Sequence, residues 1–164
     1  MVLSIALLLF VTLQRLAELI HACRNTRRLL ARGALEIGAA HYPLMIVLHA
    51  SWLGGLWLMA VGQPISFFWF VVFMALQLLR VWVLATLKDR WTTRIIVLPG
   101  AAWITSGPYR FLRHPNYVIV IGEIAALPLA FGLPVFAVVF SLLNAIVLTI
   151  RIRAENRALC TAII

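Results

Sequence analysis

Long apolar stretches dominate the first half of this chain. They run from Met1 to about Ile20, from Tyr42 to Val61 and from Ile65 to Leu87. Each is close to the ~20 residues that a helix needs to cross the hydrocarbon core of a bilayer. The pattern therefore predicts three membrane helices in residues 1–87. A polar connection rich in arginine, from about Arg24 to His41, joins the first two helices.

The next segment, Lys88 to His114, has a different pattern. It mixes charged side chains with two short apolar pieces, Thr93–Leu98 and Ala101–Thr105, which flank Pro99-Gly100. This arrangement predicts two extended pieces around a turn. Long segments outside the regular elements often carry function, so candidate chemistry is expected here.

Two further apolar runs follow in the second half. Pro115 predicts a helix start, with apolar sequence from Tyr117 to Phe131 and again from Val135 to Ile150 after Gly132–Pro134. The first run has about 15 residues, or about 22 Å of helix, which is short for a full span. The pair is either a tilted transmembrane hairpin or a re-entrant one.

Composition supports a membrane protein. Of 164 residues, 64% are hydrophobic and 12% are charged, whereas soluble domains are about half apolar and a quarter charged. We therefore predict an all-α integral membrane protein with about five transmembrane helices, the last two forming a hairpin. Residues 1–164 are expected to form one domain, with residues 1–87 as N-terminal helices and residues 88–164 as the functional part.

The formal net charge is +9, which in a soluble protein would indicate nucleic-acid binding. Here the rule that basic residues stay on the cytoplasmic side explains it better, with contacts to anionic membrane lipids and no nucleic acid. Placing the N-terminus outside puts all 14 Lys and Arg residues toward the inside. This predicts an N-out, C-in protein, with outer turns near Gln63 and Leu133.

The two cysteines, Cys23 and Cys160, both fall on the predicted cytoplasmic side, where free thiols are expected. With four scattered histidines they fit no zinc or haem pattern. No metal site is predicted.

The run from Gly107 to Tyr117 combines a turn, Arg110, Arg113 and His114 with a predicted helix N-terminus. Helix N-termini carry unpaired N–H groups and suit an anionic ligand. A capped turn at the membrane surface, without any ligand, explains the same residues equally well.

Three charged residues in the last helices are further candidates. Glu123 lies in an apolar run, where an ionisable group is costly and functional by default; the alternative is a buried carboxylate paired with Arg80 or Asn144. Arg151 and Glu155 are four residues apart and share a helix face, an arrangement that is also common in surface ion pairs of little consequence.

The residues from Arg90 to Leu159 resemble the isoprenylcysteine carboxyl methyltransferase superfamily, to which phospholipid methyltransferases also belong. The motifs that carry the resemblance are Thr105–Tyr109, Arg113–Tyr117, an apolar hairpin and Glu155. The resemblance implies a cytoplasmic segment that binds S-adenosyl-L-methionine. It assigns cofactor-binding positions to Arg94, Ala101, Ala102, Trp103, Ile104, Tyr109, His114, Tyr117 and Glu155. Arg151 matches an arginine that faces the substrate.

Two positions depart from the family pattern. The family often has glycine where this chain has Ile119, and paired glutamates where Asn156 follows Glu155. Arg90–Ile95 and Glu123–Ala130 are similar to a small bacterial branch whose members accompany type III polyketide synthases. That branch implies O-methylation of alkylpyrones or phenolic lipids.

The resemblance thus implies transfer of a methyl group from S-adenosyl-L-methionine to a carboxyl, phenol or enol of a lipophilic substrate, with Arg151 orienting the oxygen. Glu123 and His41 are candidate bases if one is needed. An NADPH-dependent membrane reductase of the sterol-reductase type is an alternative, because such enzymes carry a similar Arg-His-x-Asn-Tyr signature. A non-enzymatic membrane scaffold or transporter subunit is a second alternative.

Overall fold

The computed structural model describes residues 1–102 and 104–161. Within them the chain forms five long helices, which confirms the five predicted apolar segments. The helices are α1 (Val2–Ala31), α2 (Tyr42–Met59), α3 (Phe67–Leu87), α4 (Pro115–Ala130) and α5 (Pro134–Thr161). In this part of the chain α1, α2, α3 and α5 are long and apolar enough to cross a membrane, and α4 is a shorter apolar helix.

Helix α1 is longer than predicted. The polar connection was expected to begin near Arg24, but the helix continues to Ala31. Asn25 explains the extension, because its buried side-chain amide donates hydrogen bonds to the carbonyl oxygens of Lys88 and Trp91, at 3.1 and 2.9 Å. The hydrogen bond from Asn25 to Trp91, 66 residues away along the chain, therefore stabilises the last turns of α1. The local sequence of these turns predicted a polar connection and not a helix.

All five helices reach from one end of the bundle to the other. At one end, the backbone N–H of Gly62 donates to Ser4 Oγ at 3.1 Å, and the N–H of Ser66 donates to the carbonyl of Ala130 at 2.8 Å. The turn between α4 and α5 therefore lies beside the turn between α2 and α3. Within the bundle, α4 and α5 therefore form a hairpin whose turn lies at the same end as the turn between α2 and α3.

The apolar core lies toward this same end. Its fully buried side chains include Leu8, Trp52, Phe73, Leu127 and Phe131. Because they come from α1, α2, α3, α4 and the turn after α4, the core joins these four helices. The opposite end of the bundle, where α1 and α3 end and α4 begins, carries the polar segments.

A cluster of charged side chains lies between the core and the polar end. Glu123 accepts hydrogen bonds from Arg15 at 2.6 Å, from Arg80 Nε at 2.8 Å and from Gln77 at 2.8 Å. Glu18 pairs with the same two arginines, at 2.8 and 3.3 Å. Two arginines and two glutamates balance each other, which is the arrangement that makes buried charge tolerable in a membrane.

This cluster corresponds to the paired-carboxylate alternative for Glu123. Arg80 is a partner, as that alternative proposed, whereas Asn144 is not among the hydrogen-bond partners of Glu123 in the described chain. No local pattern in the sequence indicates Arg15 as a partner of Glu123.

A two-stranded antiparallel sheet covers the polar end. Strand β1 (Leu35–Ile37) pairs with β2 (Ile95–Val97), with Leu35 opposite Val97. The first predicted extended piece therefore contains β2, but its partner comes from the arginine-rich connection. The described residues of the second piece, Ala101–Thr105, belong to no strand, so only the first of the two predicted extended pieces forms one.

Candidate active site

Two adjoining cavities lie at the polar end of the bundle. The larger, called here the outer cavity, has a volume of about 660 Å³, and the smaller inner cavity has about 220 Å³. They share part of their lining, including Leu87, Tyr109, His114 and Glu155. The outer cavity lies within the size range of small-molecule sites, about 300–1,000 Å³.

The loop after β2 forms one wall of the outer cavity. Ala101, Ala102 and Ile104 line it, as does β2 itself. Arg90 donates a hydrogen bond to the carbonyl oxygen of Ala102, which ties the loop to the end of α3. Trp103, predicted beside these residues, lies outside the described residues.

The turn that presents Tyr109 depends on a glycine. Gly107 begins a single 3₁₀ turn, Gly107–Arg110, with φ of +58°, a conformation that other residues rarely adopt. A Cβ at Gly107 would also collide with Thr86 of α3. The half-buried Tyr109 lines both cavities, and burial together with the charge of Glu155 raises its pKa to about 12. Tyr109 therefore stays a neutral phenol at physiological pH.

The start of α4 places two aromatic rings together. Pro115 occupies the first helical position, where the lack of an N–H costs nothing. His114 and Tyr117 flank it and stack, with ring centroids 5.1 Å apart and planes 12° from parallel. His114 Nδ1 lies 3.9 Å from Glu155 Oε2.

Helix α5 contributes the charged side chains. Arg151 is buried and donates from Nε to Tyr117 Oη at 2.9 Å and from Nη1 to the carbonyl oxygen of Thr93 at 2.8 Å. The hydroxyl of Tyr117 in turn donates to Glu155 Oε2. Arg151 and Glu155 are thus linked through Tyr117, and the alternative of a simple surface ion pair does not describe them.

Arg94 lines the inner cavity and is held by the N-terminal half of the chain. Its Nη1 lies 2.9 and 3.0 Å from the carboxylate oxygens of Glu36 in β1. Its guanidinium lies 4.6 Å from the ring centroid of Tyr42, whose hydroxyl is 3.0 Å from Thr93 Oγ1. Glu36 and Tyr42 are supporting residues that the sequence did not identify.

The structure thus brings most of the sequence-predicted site residues into one place. Those that line one or both cavities are Arg94, Ala101, Ala102, Ile104, Tyr109, His114, Tyr117, Arg151 and Glu155. Glu123 lines neither cavity, because its carboxylate is occupied by Arg15, Arg80 and Gln77. The side chain of His41 lies outside the described residues.

Sequence reasoning missed Asn116 as a candidate. It lines the inner cavity, and its Oδ1 is buried without a hydrogen-bond partner in the described part of the chain. Buried polar atoms are usually paired, so an unpaired acceptor beside a cavity indicates a ligand-binding position. The signal was available, because Asn116 lies inside the Arg113–Tyr117 motif.

A model of the isoprenylcysteine carboxyl methyltransferase (ICMT) family matches residues 69–161, more than half of the chain of 164 residues. The chain belongs to the ICMT family. Its relatives include the uncharacterized protein YpbQ of Bacillus subtilis, 37% identical over 158 residues, or 93% of this chain and 94% of YpbQ. An uncharacterized protein of Haemophilus influenzae is 27% identical over 142 residues, 83% of each chain. No solved structure matches the chain.

Membership of the ICMT family confirms the resemblance seen in the sequence. Together with the apolar helices, it identifies an α-helical integral membrane protein and a methyltransferase. The narrower branch that accompanies polyketide synthases stays a prediction.

The departure from the family pattern at Ile119 has a structural explanation. Ile119 is buried and packs in a small cluster with Ala22, Val83 and Trp91, from α1, α3 and the segment after α3. The larger side chain therefore fills space between helices and does not enter the cavities. The side chain of Asn156, the other departure, lies outside the described residues.

Proposed function

We propose that this ICMT-family protein uses S-adenosyl-L-methionine to O-methylate a lipophilic acceptor that carries a carboxyl, phenol or enol group. The observation that carries the proposal is the pair of adjoining cavities. The outer one has the size of a cofactor site, and the inner one is lined by the buried cation of Arg151.

The residues of the outer cavity fit the chemistry of this cofactor, which combines a sulfonium cation, an adenosine and an amino-acid carboxylate. The Glu155 carboxylate and the aromatic faces of His114 and Tyr109 suit a cation. Arg90 and Arg113, which line both cavities, suit a carboxylate. The small apolar side chains after β2 suit a flat base.

When bound, the cofactor supplies an electrophilic methyl group. This chain contributes orientation, which is worth several kcal/mol in such reactions, and a site from which water is excluded. Arg151 is the residue proposed to orient and stabilise the acceptor oxygen. Its guanidinium is held by contacts to Tyr117, Met45 and Thr93, and it lines the inner cavity.

We further propose that the acceptor reaches the site from the bilayer, with its polar head in the inner cavity and its alkyl part among the helices. Phenolic lipids and alkylpyrones have this shape, as do isoprenylated carboxylates. The basic residues near the polar end support an N-out orientation in the bacterial inner membrane, which opens the outer cavity to cytoplasmic cofactor.

The test is calorimetric titration of the detergent-purified protein with S-adenosylhomocysteine. We expect micromolar binding that weakens at least tenfold in His114→Ala and Glu155→Ala, a loss of about 1.4 kcal/mol. Arg153→Ala is the matched control, because this exposed arginine on α5 lines neither cavity. Its affinity should equal that of the wild type.

A folded protein that fails to bind S-adenosylhomocysteine would contradict the proposal. Binding of NADPH by that protein would then favour the reductase alternative. Binding of neither nucleotide would favour a scaffold or transporter subunit.

A further inference from the structure

We propose that Tyr117 and Glu155 form a proton relay that deprotonates a hydroxyl acceptor in the inner cavity. The inference rests on the proposed O-methyl transfer and deepens it, because it specifies a phenol or enol acceptor. A carboxylate acceptor is already ionised at neutral pH and needs no base.

The hydrogen bonds run in one direction. Arg151 Nε donates to Tyr117 Oη, and the Tyr117 hydroxyl donates to Glu155 Oε2. A hydroxyl oxygen has two lone pairs and one proton. Tyr117 Oη uses one lone pair for Arg151 and its proton for Glu155, so one acceptor position remains among its described contacts. A hydroxyl in the inner cavity, which Tyr117 lines, would take that position.

Exposure increases along the same path. Arg151 is 6% exposed and Tyr117 is 9% exposed, whereas the Glu155 side chain is 27% exposed. Arg151 and Tyr117 line only the inner cavity, whereas Glu155 lines both cavities. The relay therefore leads from the buried Arg151 and Tyr117, beside which the acceptor oxygen must lose its proton, to a carboxylate that can pass the proton to solvent.

Two protons and one methyl group move in the proposed step. The acceptor O–H gives its proton to Tyr117 Oη while the proton of Tyr117 moves to Glu155 Oε2. The acceptor oxygen forms its new bond to the methyl carbon, and the electrons of the broken C–S bond stay on sulfur as the neutral thioether of S-adenosylhomocysteine. Glu155 then releases the proton to water. Arg151 stabilises negative charge on either oxygen during the transfer.

Several charged or titratable groups lie around Glu155 in the two cavities. Those groups are His114, Tyr117, Tyr109, Arg151 and the cavity arginines Arg90 and Arg113. With a pKa raised to about 12, Tyr109 contributes no titration near neutrality. Arginines stay charged throughout the same range.

The experiment measures kcat/KM for methylation of para-dodecylphenol between about pH 6.5 and 8.5, at saturating S-adenosyl-L-methionine. A phenol ionises near pH 10, so an enzyme without a base uses only the ionised fraction, which rises about tenfold per pH unit. We expect a nearly flat profile for the wild type and a tenfold rise per unit for Tyr117→Phe and Glu155→Gln. A dodecyl dinitrophenol, which is ionised throughout this pH range, should restore flat profiles to both variants.

Tyr109→Phe is the matched control. It removes a phenol oxygen from the same cavities without breaking the relay, so its slope should equal that of the wild type whatever its rate. Equal slopes for the wild type, Tyr117→Phe and Glu155→Gln would overturn the relay, as would binding of S-adenosylhomocysteine without methylation of either phenol. Calorimetry with S-adenosylhomocysteine reports on the proposed function separately.

Discussion

Burial determines the protonation of individual residues at this site. Tyr109 has a pKa raised to about 12, against about 10 for an unperturbed tyrosine. The pKa of Tyr109 is higher in the folded than in the unfolded protein. Its contribution to the free energy of unfolding is therefore complete below about pH 10 and is lost as the pH rises to about 12.

The raised pKa predicts that Tyr109 ionises at a higher pH than an unperturbed tyrosine. The difference in tyrosinate absorbance between the wild type and Tyr109→Phe should have its midpoint near pH 12. The chain has only three tyrosines, so the difference is measurable. A midpoint near pH 10 would mean that the Tyr109 hydroxyl is solvated and that the cavity wall is more open in solution than in this structure.

For individual residues, the sequence predicted the contacts that form between side chains close together along the chain. His114 and Tyr117 lie three residues apart, and Arg151 and Glu155 lie four apart, so helical spacing alone brings each pair together. Glu123 is different, because its partners Arg15 and Arg80 are 108 and 43 residues away. Its surroundings follow from tertiary packing, which no local pattern reveals.

The turn Gly107–Arg110 is the element that positions Tyr109, and its glycine can be tested. Gly107→Ala and Gly100→Ala both place a side chain at positive φ, at a cost of about 1–2 kcal/mol. Only at Gly107 does the new Cβ also collide with Thr86, since nothing lies within 4 Å of a Cβ at Gly100.

We therefore expect Gly107→Ala to lower both the unfolding temperature and the affinity for S-adenosylhomocysteine more than Gly100→Ala does. Adding Thr86→Ala should recover part of the Gly107→Ala loss. Equal losses in the two glycine variants would show that backbone strain alone accounts for the effect.

The buried charge cluster holds α1, α3 and α4 together. In Glu123→Gln, the two arginines face only Glu18, so a buried positive charge is left without compensation. Breaking a buried ion pair costs about 3–5 kcal/mol. We expect a loss of this size in the free energy of unfolding in detergent micelles.

The control for Glu123→Gln removes an exposed ion pair. Arg28 and Asp89 lie 3.6 Å apart and are 63% and 64% exposed, and exposed pairs contribute little. Arg28→Ala should therefore leave stability nearly unchanged. A similar small effect of Glu123→Gln would mean that water reaches the cluster.

Element boundaries followed the hydropathy pattern only where the bilayer dictates them. The sequence predicted α2, α3, α4 and the apolar part of α5 closely, because apolar length sets membrane helices; the continuation of α5 beyond Ile150, to Thr161, lies in the predicted polar tail. It did not predict the last turns of α1 or the pairing of β1 with β2. Both depend on contacts between segments about 60 residues apart along the chain, which periodicity does not encode.

At the scale of the whole molecule, the two ends of the bundle differ in chemistry. The end that contains Ser4, Gly62 and Ala130 is closed by backbone hydrogen bonds and carries the apolar core. The opposite end carries both cavities and most of the arginines. This division fits the proposed function, in which a soluble cofactor comes from one compartment and a lipophilic acceptor from the bilayer.

The division makes the proposed orientation testable with thiols. Cys23 is exposed and lies about 32 Å along α1 from Val2, just beyond a hydrocarbon core of about 30 Å. Gln63 is exposed in the turn at the opposite end.

In intact bacterial cells, a membrane-impermeant maleimide should label Gln63→Cys in a Cys23→Ser/Cys160→Ser background. It should not label Cys23 in a Cys160→Ser background, and disruption of the cells should expose both thiols. Labelling of Cys23 alone in intact cells would reverse the topology and place the cofactor cavity outside, where S-adenosyl-L-methionine from the cytoplasm could not reach it.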